Sequence, residues 1–122
     1  MFVRIKPDEE TNQGRPLQVL IRSVSVDAYR SESYTALARL VIEPDKSVLR
    51  LVTIEPRRRA SRLFYIGAPS KVPVAIYFFY VSSIGNWKML LPPPLPFTVT
   101  VPLGPSGVKI DAVGECCQAV TP

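Results

Sequence analysis

The residue types that carry most enzymatic chemistry are scarce in this sequence of 122 residues. The chain contains no histidine, which removes the most common general acid–base and the most common metal ligand. Its two cysteines, Cys116 and Cys117, are adjacent, and such a pair supplies neither a disulfide framework nor a four-ligand zinc site. The run of carboxylates at residues 8–10 lies in a polar stretch that predicts a solvated loop. We therefore expect no catalytic residue, no metal site and no cofactor, and we predict that the protein is not an enzyme.

The strongest local signal is a cluster of arginines. Four of them fall within six residues: Arg57, Arg58, Arg59 and Arg62. Clustered guanidinium groups bind the phosphates of nucleic acids and other polyanions. The same residues between two strands also suit a solvated turn, or pairing with carboxylates of a neighbouring subunit. Few aromatic residues that could stack on bases stand nearby. We predict that the cluster contacts an anion or a partner, and a solvated turn is the alternative.

Charged residues are distributed unevenly along the chain. The net charge is +5, and residues 1–62 contain 12 basic and 8 acidic side chains, whereas residues 63–122 contain five charged side chains in all. Soluble chains usually carry about 25% charged residues. A surface so poor in charge would expose larger apolar patches than monomers tolerate. We predict that the second half of the chain forms the contact through which the protein assembles.

Large apolar side chains of the second half are the candidates for that contact. The longest apolar run, residues 72–83, predicts a strand that is either covered on both faces or turned toward a partner. The predicted interface takes aromatic and leucine side chains from this strand, from the next one and from the proline-rich segment that follows: Tyr77, Phe79, Trp87, Leu91, Leu95 and Phe97.

Prolines and glycines divide the chain into short segments, most of which favour strands. Period-two patterns and apolar runs predict strands at Phe2–Lys6, Leu17–Val26, Tyr34–Ile42, Val48–Ile54, Leu63–Ile66, Val72–Ser83, Trp87–Leu91, Phe97–Val101, Val108–Val113 and Cys116–Val120. Residues 27–33 fit a loop or one helical turn, and a helix within residues 27–40 is the exception to test. About 8–10 short strands predict an all-β, single-domain antiparallel β-sandwich or barrel over residues 1–122, jelly-roll-like or Ig-like.

The apolar windows bear on cellular location. The first residues, MFVRIK, are too short and too charged for a signal peptide. The longest uninterrupted apolar stretch, residues 74–81, falls far short of the roughly 20 residues that a membrane helix needs. We expect a protein without a signal peptide or transmembrane segment that is made in the cytoplasm and resides there or in a virion.

Two functions from different classes fit these observations. The first is a non-enzymatic structural protein, such as a capsid, decoration or minor coat subunit of a virion. It would form homo-oligomers and contact other subunits through its charge-poor half. This hypothesis rests on an analogy of architecture, and a fold by itself does not fix a function. The alternative is a small basic β-module that binds nucleic acid through the loop from Arg57 to Arg62.

Overall fold

The computed structural model describes residues 1–67, 71–82 and 86–109 of the chain. Within these ranges it contains seven strands, two α-helices and short 3-10 turns. In chain order the strands and helices are β1 (Phe2–Lys6), β2 (Leu17–Ser23), α1 (Val26–Ser31), α2 (Tyr34–Ile42), β3 (Val48–Ile54), β4 (Arg62–Tyr65), β5 (Val74–Phe79), β6 (Lys88–Leu91) and β7 (Thr98–Pro102). Neither helix reaches the length and hydropathy of a membrane-spanning segment.

The strands form two sheets. The smaller sheet has the order β4-β1-β7, in which β1 is antiparallel to β4 and parallel to β7. The larger sheet has the order β3-β2-β5-β6, and each neighbouring pair is antiparallel. The predicted β-sandwich is therefore confirmed.

The main core fills the space between the two sheets. Successive side chains of a strand point to opposite faces, so each strand contributes alternate residues to this core. The pattern is clearest in β1, where Val3 and Ile5 are fully buried and their neighbours are not. Other residues of the core between the sheets include Val19, Ile21, Ile76, Phe78, Val99 and Val101.

The two helices form a third layer on the other face of the larger sheet. A second cluster of buried residues lies there, in which Leu20, Ala75 and Tyr77 of the sheet pack against Leu37 of α2. As a result β5 is covered on both faces, and five of its six residues are buried. The continuous apolar run of this strand is explained by the chain's own helices and needs no partner subunit.

The strand predicted at Tyr34–Ile42 is wrong, because these residues form α2. The side chain of Ser33 caps the helix by accepting a hydrogen bond from the Ala36 N–H at 3.1 Å. Leu37 is the fully buried residue of the helix. The apolar residues of this segment fit a period of two and a period of 3.6 almost equally well, and alanine and leucine favour a helix.

Most other elements lie close to their predicted positions. The strand Val48–Ile54 has the predicted bounds, although it pairs with β2 and not with residues 34–42. The helical turn expected within residues 27–33 is α1, capped by Ser25. The predicted strand Cys116–Val120, and most of Val108–Val113, lie outside the described residues.

Candidate functional site

The arginine cluster lies on the turn between β3 and β4. A short 3-10 helix over Pro56–Arg58 ends at Arg59, whose φ of 50° is left-handed. All four arginines are exposed. Arg59 Nη1 lies 3.7 Å from Glu9 Oε1, with both side chains about two-thirds exposed, and Arg62 Nη1 donates to the Thr53 carbonyl oxygen at 3.2 Å. The four exposed guanidinium groups make the turn an electropositive surface patch. Its exposed ion pair contributes little to stability.

Replacing Arg57, Arg58 and Arg59 together with serine should lower the free energy of unfolding by less than about 1.5 kcal/mol. The reason is that surface substitutions usually change stability by no more than about 0.5 kcal/mol each. Urea unfolding followed by the fluorescence of Trp87, the single tryptophan of the chain, measures the change.

The buried arginine of the chain provides the control for this triple variant. Arg22 is 8% exposed, and its Nη1 lies 2.6 Å from Glu32 Oε1. Arg22→Ser should cost about 2 kcal/mol or more, because it leaves a partly buried carboxylate unpaired. If the triple variant lowers the free energy of unfolding as much as Arg22→Ser does, the turn is not a solvated turn.

Two residues of the predicted interface are core residues, so their assignment to an interface is wrong. Leu91 is fully buried between the sheets, and Tyr77 is fully buried beneath the helices. Neither side chain offers surface to a partner. Their apolar character serves the two internal cores, which sequence patterns cannot distinguish from a contact with another chain.

Phe79 and Trp87 hold the helical layer in place. Both are half-buried, and their ring centroids lie 5.3 and 5.1 Å from that of Tyr34 in α2. Beside them, Lys88 Nζ lies 4.5 Å from the ring centroid of Tyr29 and donates to the Tyr29 carbonyl oxygen at 3.0 Å. Much of the surface of the Phe79 and Trp87 side chains is therefore in contact with the protein's own helices.

The residues around the run of carboxylates are more ordered than the solvated loop predicted from sequence. Asn12, only 2% exposed, adopts a left-handed φ of 52°. Its Oδ1 accepts a hydrogen bond from the Val81 N–H at 2.8 Å, and its Nδ2 donates to the Pro16 carbonyl oxygen at 3.0 Å. Asparagine tolerates this conformation better than most residues. The Asn12 amide thus helps to fix the loop between β1 and β2 on the sandwich, together with the Thr11 hydroxyl, which donates to the Leu103 carbonyl oxygen at 3.4 Å. The polar composition of the segment gave no sign of this order.

Three aromatic rings, two exposed and one half-buried, come together at one end of β1. Phe2 packs edge-to-face against Tyr65 on one side and Phe97 on the other, with ring centroids 5.3 and 5.4 Å apart. Tyr65 is 59% exposed and Phe97 is 80% exposed. We call these three residues the aromatic ridge. Strand register creates it, since Phe2 stands opposite Tyr65 on β4 and opposite Thr98 on β7.

An open cavity of about 470 Å³ lies beside the aromatic ridge. Met1, Ile66 and the segment 94–97 line it together with Tyr65. Leu95 is half-buried there and packs against the main core. Of the six residues predicted to form an interface, Leu95 and Phe97 therefore share one surface, and the other four lie in the core or beside the helices.

The aromatic ridge belongs to a larger face that the described residues leave largely open to solvent. Because Val3 and Ile5 point into the core, Phe2, Arg4 and Lys6 point away from it on β1. Leu63, 52% exposed, stands opposite Arg4. We call the aromatic ridge together with Arg4, Lys6 and Leu63 the outer face.

Two buried tyrosines have strongly perturbed titration. Burial raises the pKa of Tyr77 to about 12. Burial also raises the pKa of Tyr80, whose hydroxyl donates to the Gly104 carbonyl oxygen at 3.1 Å. Both phenols lie inside the fold, so the shifts express the cost of placing a phenolate there.

Solved structures of similar fold come from type VI secretion systems (T6SS). The T6SS lipoprotein TssJ1 from Pseudomonas aeruginosa superposes with a TM-score of 0.68 at 15% identity, over 88% of this chain and 91% of that chain. Lip from Serratia marcescens, a membrane-bound component of the type VI secretion system, gives 0.65 at 15% identity, over 88% and 93%. The T6SS protein TssM C-terminal domain from EAEC gives 0.67 at 13% identity, over 89% and 98%. At these identities the likeness shows the fold. No curated protein matches the chain.

These findings overturn the virion hypothesis. A capsid, decoration or minor coat subunit was inferred from architecture, but the three solved structures described above, which share this architecture, are type VI secretion components. The predicted location in the cytoplasm or a virion is wrong as well, since two of them are described as a lipoprotein and as membrane bound. The nucleic-acid alternative gains no support from any of them. A small sandwich with proline-rich connections serves many classes of protein, so composition could not separate them.

A sequence-family model gives the evidence at the level of the sequence. The model described as "IglE, N-terminal domain" matches residues 18–103. This span runs from β2 to the residue after β7 and includes both helices, the arginine turn and the strands that carry most of the core. It covers well over half of the 122 residues. The chain belongs to the IglE N-terminal domain family.

Proposed function

We propose that this chain is a non-catalytic subunit of the membrane-associated assembly of a type VI secretion system. One observation carries the proposal: the same sandwich occurs in three T6SS proteins, over 88–89% of this chain and at least 91% of each of theirs. The likeness extends over most of this chain and nearly all of each of the other three, so it is not confined to a fragment.

The surface of the chain supports a role in contact with other molecules. Its conspicuous exposed features in the described ranges are the outer face and the arginine turn, which offer aromatic, aliphatic and cationic groups. Aromatic residues and arginine are the types most enriched at protein interfaces. Contact with other subunits of the assembly uses such groups directly.

Self-association remains a prediction of this proposal. A homo-oligomer would show in light scattering of the purified chain as a mass that is a multiple of 13.6 kDa. A monomer at high micromolar concentration would restrict the contacts of the chain to other kinds of subunit.

The proposal is tested in a bacterium that encodes this chain. Deleting its gene should abolish secretion of a type VI substrate, and a plasmid copy should restore it. In the restored strain, cross-linking should recover the tagged chain from the membrane fraction together with other type VI components. Secretion at the wild-type level after deletion would contradict the proposal.

A further inference from the structure

We propose that the outer face docks on a bilayer of anionic phospholipid, with the aromatic ridge in the interfacial region and Arg4 and Lys6 on lipid phosphates. This inference goes beyond the proposed function and does not depend on it. It rests on the charge, the side-chain types and the spacing of one sheet face, and its test needs only purified chain and lipid.

The charge of this face has one sign. On β4, β1 and β7 the charged side chains that point away from the core are Arg4 and Lys6, and none of the three strands carries a carboxylate. Within the described residues, neither Arg4 nor Lys6 forms an ion pair. Among the acidic residues just after β1, Asp8 pairs with Lys109 at 3.0 Å and Glu9 with Arg59 at 3.7 Å, whereas Glu10 forms no ion pair with any described residue, Arg4 and Lys6 included. An unneutralised cationic face attracts an anionic membrane surface.

The apolar part of the face has the composition of a membrane interface. Tyr65 extends into solvent from β4 and Phe97 from the position just before β7, and Phe2 packs between the two rings. Aromatic side chains concentrate at the level of the lipid headgroups, where an apolar ring and a polar edge are both accommodated. The open cavity beside the aromatic ridge provides room for the end of an acyl chain, since Met1, Ile66 and Leu95 border it.

The spacing along β1 matches the depth of the interface. At about 3.4 Å per residue, Arg4 lies roughly 7 Å and Lys6 roughly 14 Å along the strand from Phe2. Interfacial protein segments bury their apolar side by about 5–10 Å. When β1 is steeply inclined to the membrane plane, so that the end of the outer face with the aromatic ridge enters to that depth, Arg4 stands at the level of the phosphates and Lys6 just above them.

A second copy of the chain fits this face poorly. Two identical copies that meet through a two-fold contact bring the same patch together. Arg4 and Lys6 would then face their own counterparts with no carboxylate from either sheet to compensate. Like charges in such a position oppose association. The charge of the face therefore favours an anionic occupant over self-association.

Co-sedimentation with lipid vesicles tests the proposal. The purified chain is mixed with vesicles of phosphatidylcholine alone, or of phosphatidylcholine with about a third phosphatidylglycerol, at about 50 and about 500 mM salt. Binding is expected with the anionic vesicles at low salt, and it should weaken at high salt because lipid and protein charges are screened.

Matched variants assign the binding to the outer face. Arg4→Gln with Lys6→Gln should weaken partition by about 25-fold, since each cation near the surface contributes about fivefold. Arg30→Gln with Arg39→Gln removes the same charge from exposed sites on the helical layer and should have little effect. Phe97→Ser should weaken binding about tenfold, whereas Ile42→Ser, at an equally exposed site on α2, should not.

Circular dichroism of each variant verifies the fold, and the charge variants do not disturb the aromatic packing. Failure to bind anionic vesicles at low salt would overturn the proposal. The outer face would then be a candidate contact for an acidic surface of another protein. Equal losses for the outer-face and helical-layer variants, or equal binding to neutral vesicles, would overturn it as well. None of these results depends on whether deletion of the gene affects secretion.

Discussion

Leu37→Ala should lower the free energy of unfolding by about 3 kcal/mol, because it empties the one fully buried position of α2. Leu37 packs against Leu20, Ala75 and Tyr77 on the face of the larger sheet that the helices cover. Removing three side-chain carbon atoms there loses both their transfer free energy and the contacts around the cavity that remains. Urea unfolding at neutral pH measures the loss.

The same helix offers the control. Ile42→Ala removes a similar side chain, but Ile42 is 81% exposed, so its effect should stay within about 0.5 kcal/mol. Equal losses at the two positions would contradict the orientation of α2. A small loss at Leu37 would mean that the helical layer contributes little to the cover of β5.

Stability should fall steeply between pH 10 and pH 12, and Tyr77→Phe should reduce that fall. Burial raises the pKa of Tyr77 from 10.0 to about 12. Between these values the folded chain keeps the phenolic proton while the unfolded chain loses it. The contribution of this group is therefore complete below pH 10 and is lost as pH rises toward 12. The loss is about 1.4 kcal/mol per pH unit for this one group.

Urea unfolding at several pH values from about 9 to about 12 tests this prediction. Tyr77→Phe should show a shallower decline than the unmodified chain. The exposed Tyr65 supplies the control, and Tyr65→Phe should leave the slope unchanged. Parallel curves for the unmodified chain and Tyr77→Phe would show that the Tyr77 phenol is open to water, in conflict with its place beneath the helices.

Local alternation was enough to locate most strands but not to assign their neighbours. The bounds of Phe2–Lys6 follow from apolar residues at alternate positions, and those of Val48–Ile54 from an apolar run that follows the turn residues 43–47. The partner of a strand depends on contacts between residues far apart in the chain. Val48–Ile54 pairs with β2 because the residues just before it became a helix.

The sequence likewise predicted only part of the candidate site. Composition located a charge-poor half and pointed to Leu95 and Phe97, which do share an exposed surface. It also assigned Tyr77 and Leu91 to that surface, although both are buried. A single sequence shows how apolar a residue is and therefore that it tends to be buried. It does not show whether its own chain or another chain buries it.

Residue order alone established that this chain builds a sandwich of short strands, since period-two patterns and turn residues act over a few neighbouring positions. Which layer covers β5, and where Phe2, Tyr65 and Phe97 meet, became visible once the strands were paired. These features join residues that are tens of positions apart. Their free energy belongs to packing between elements, and no local pattern encodes it.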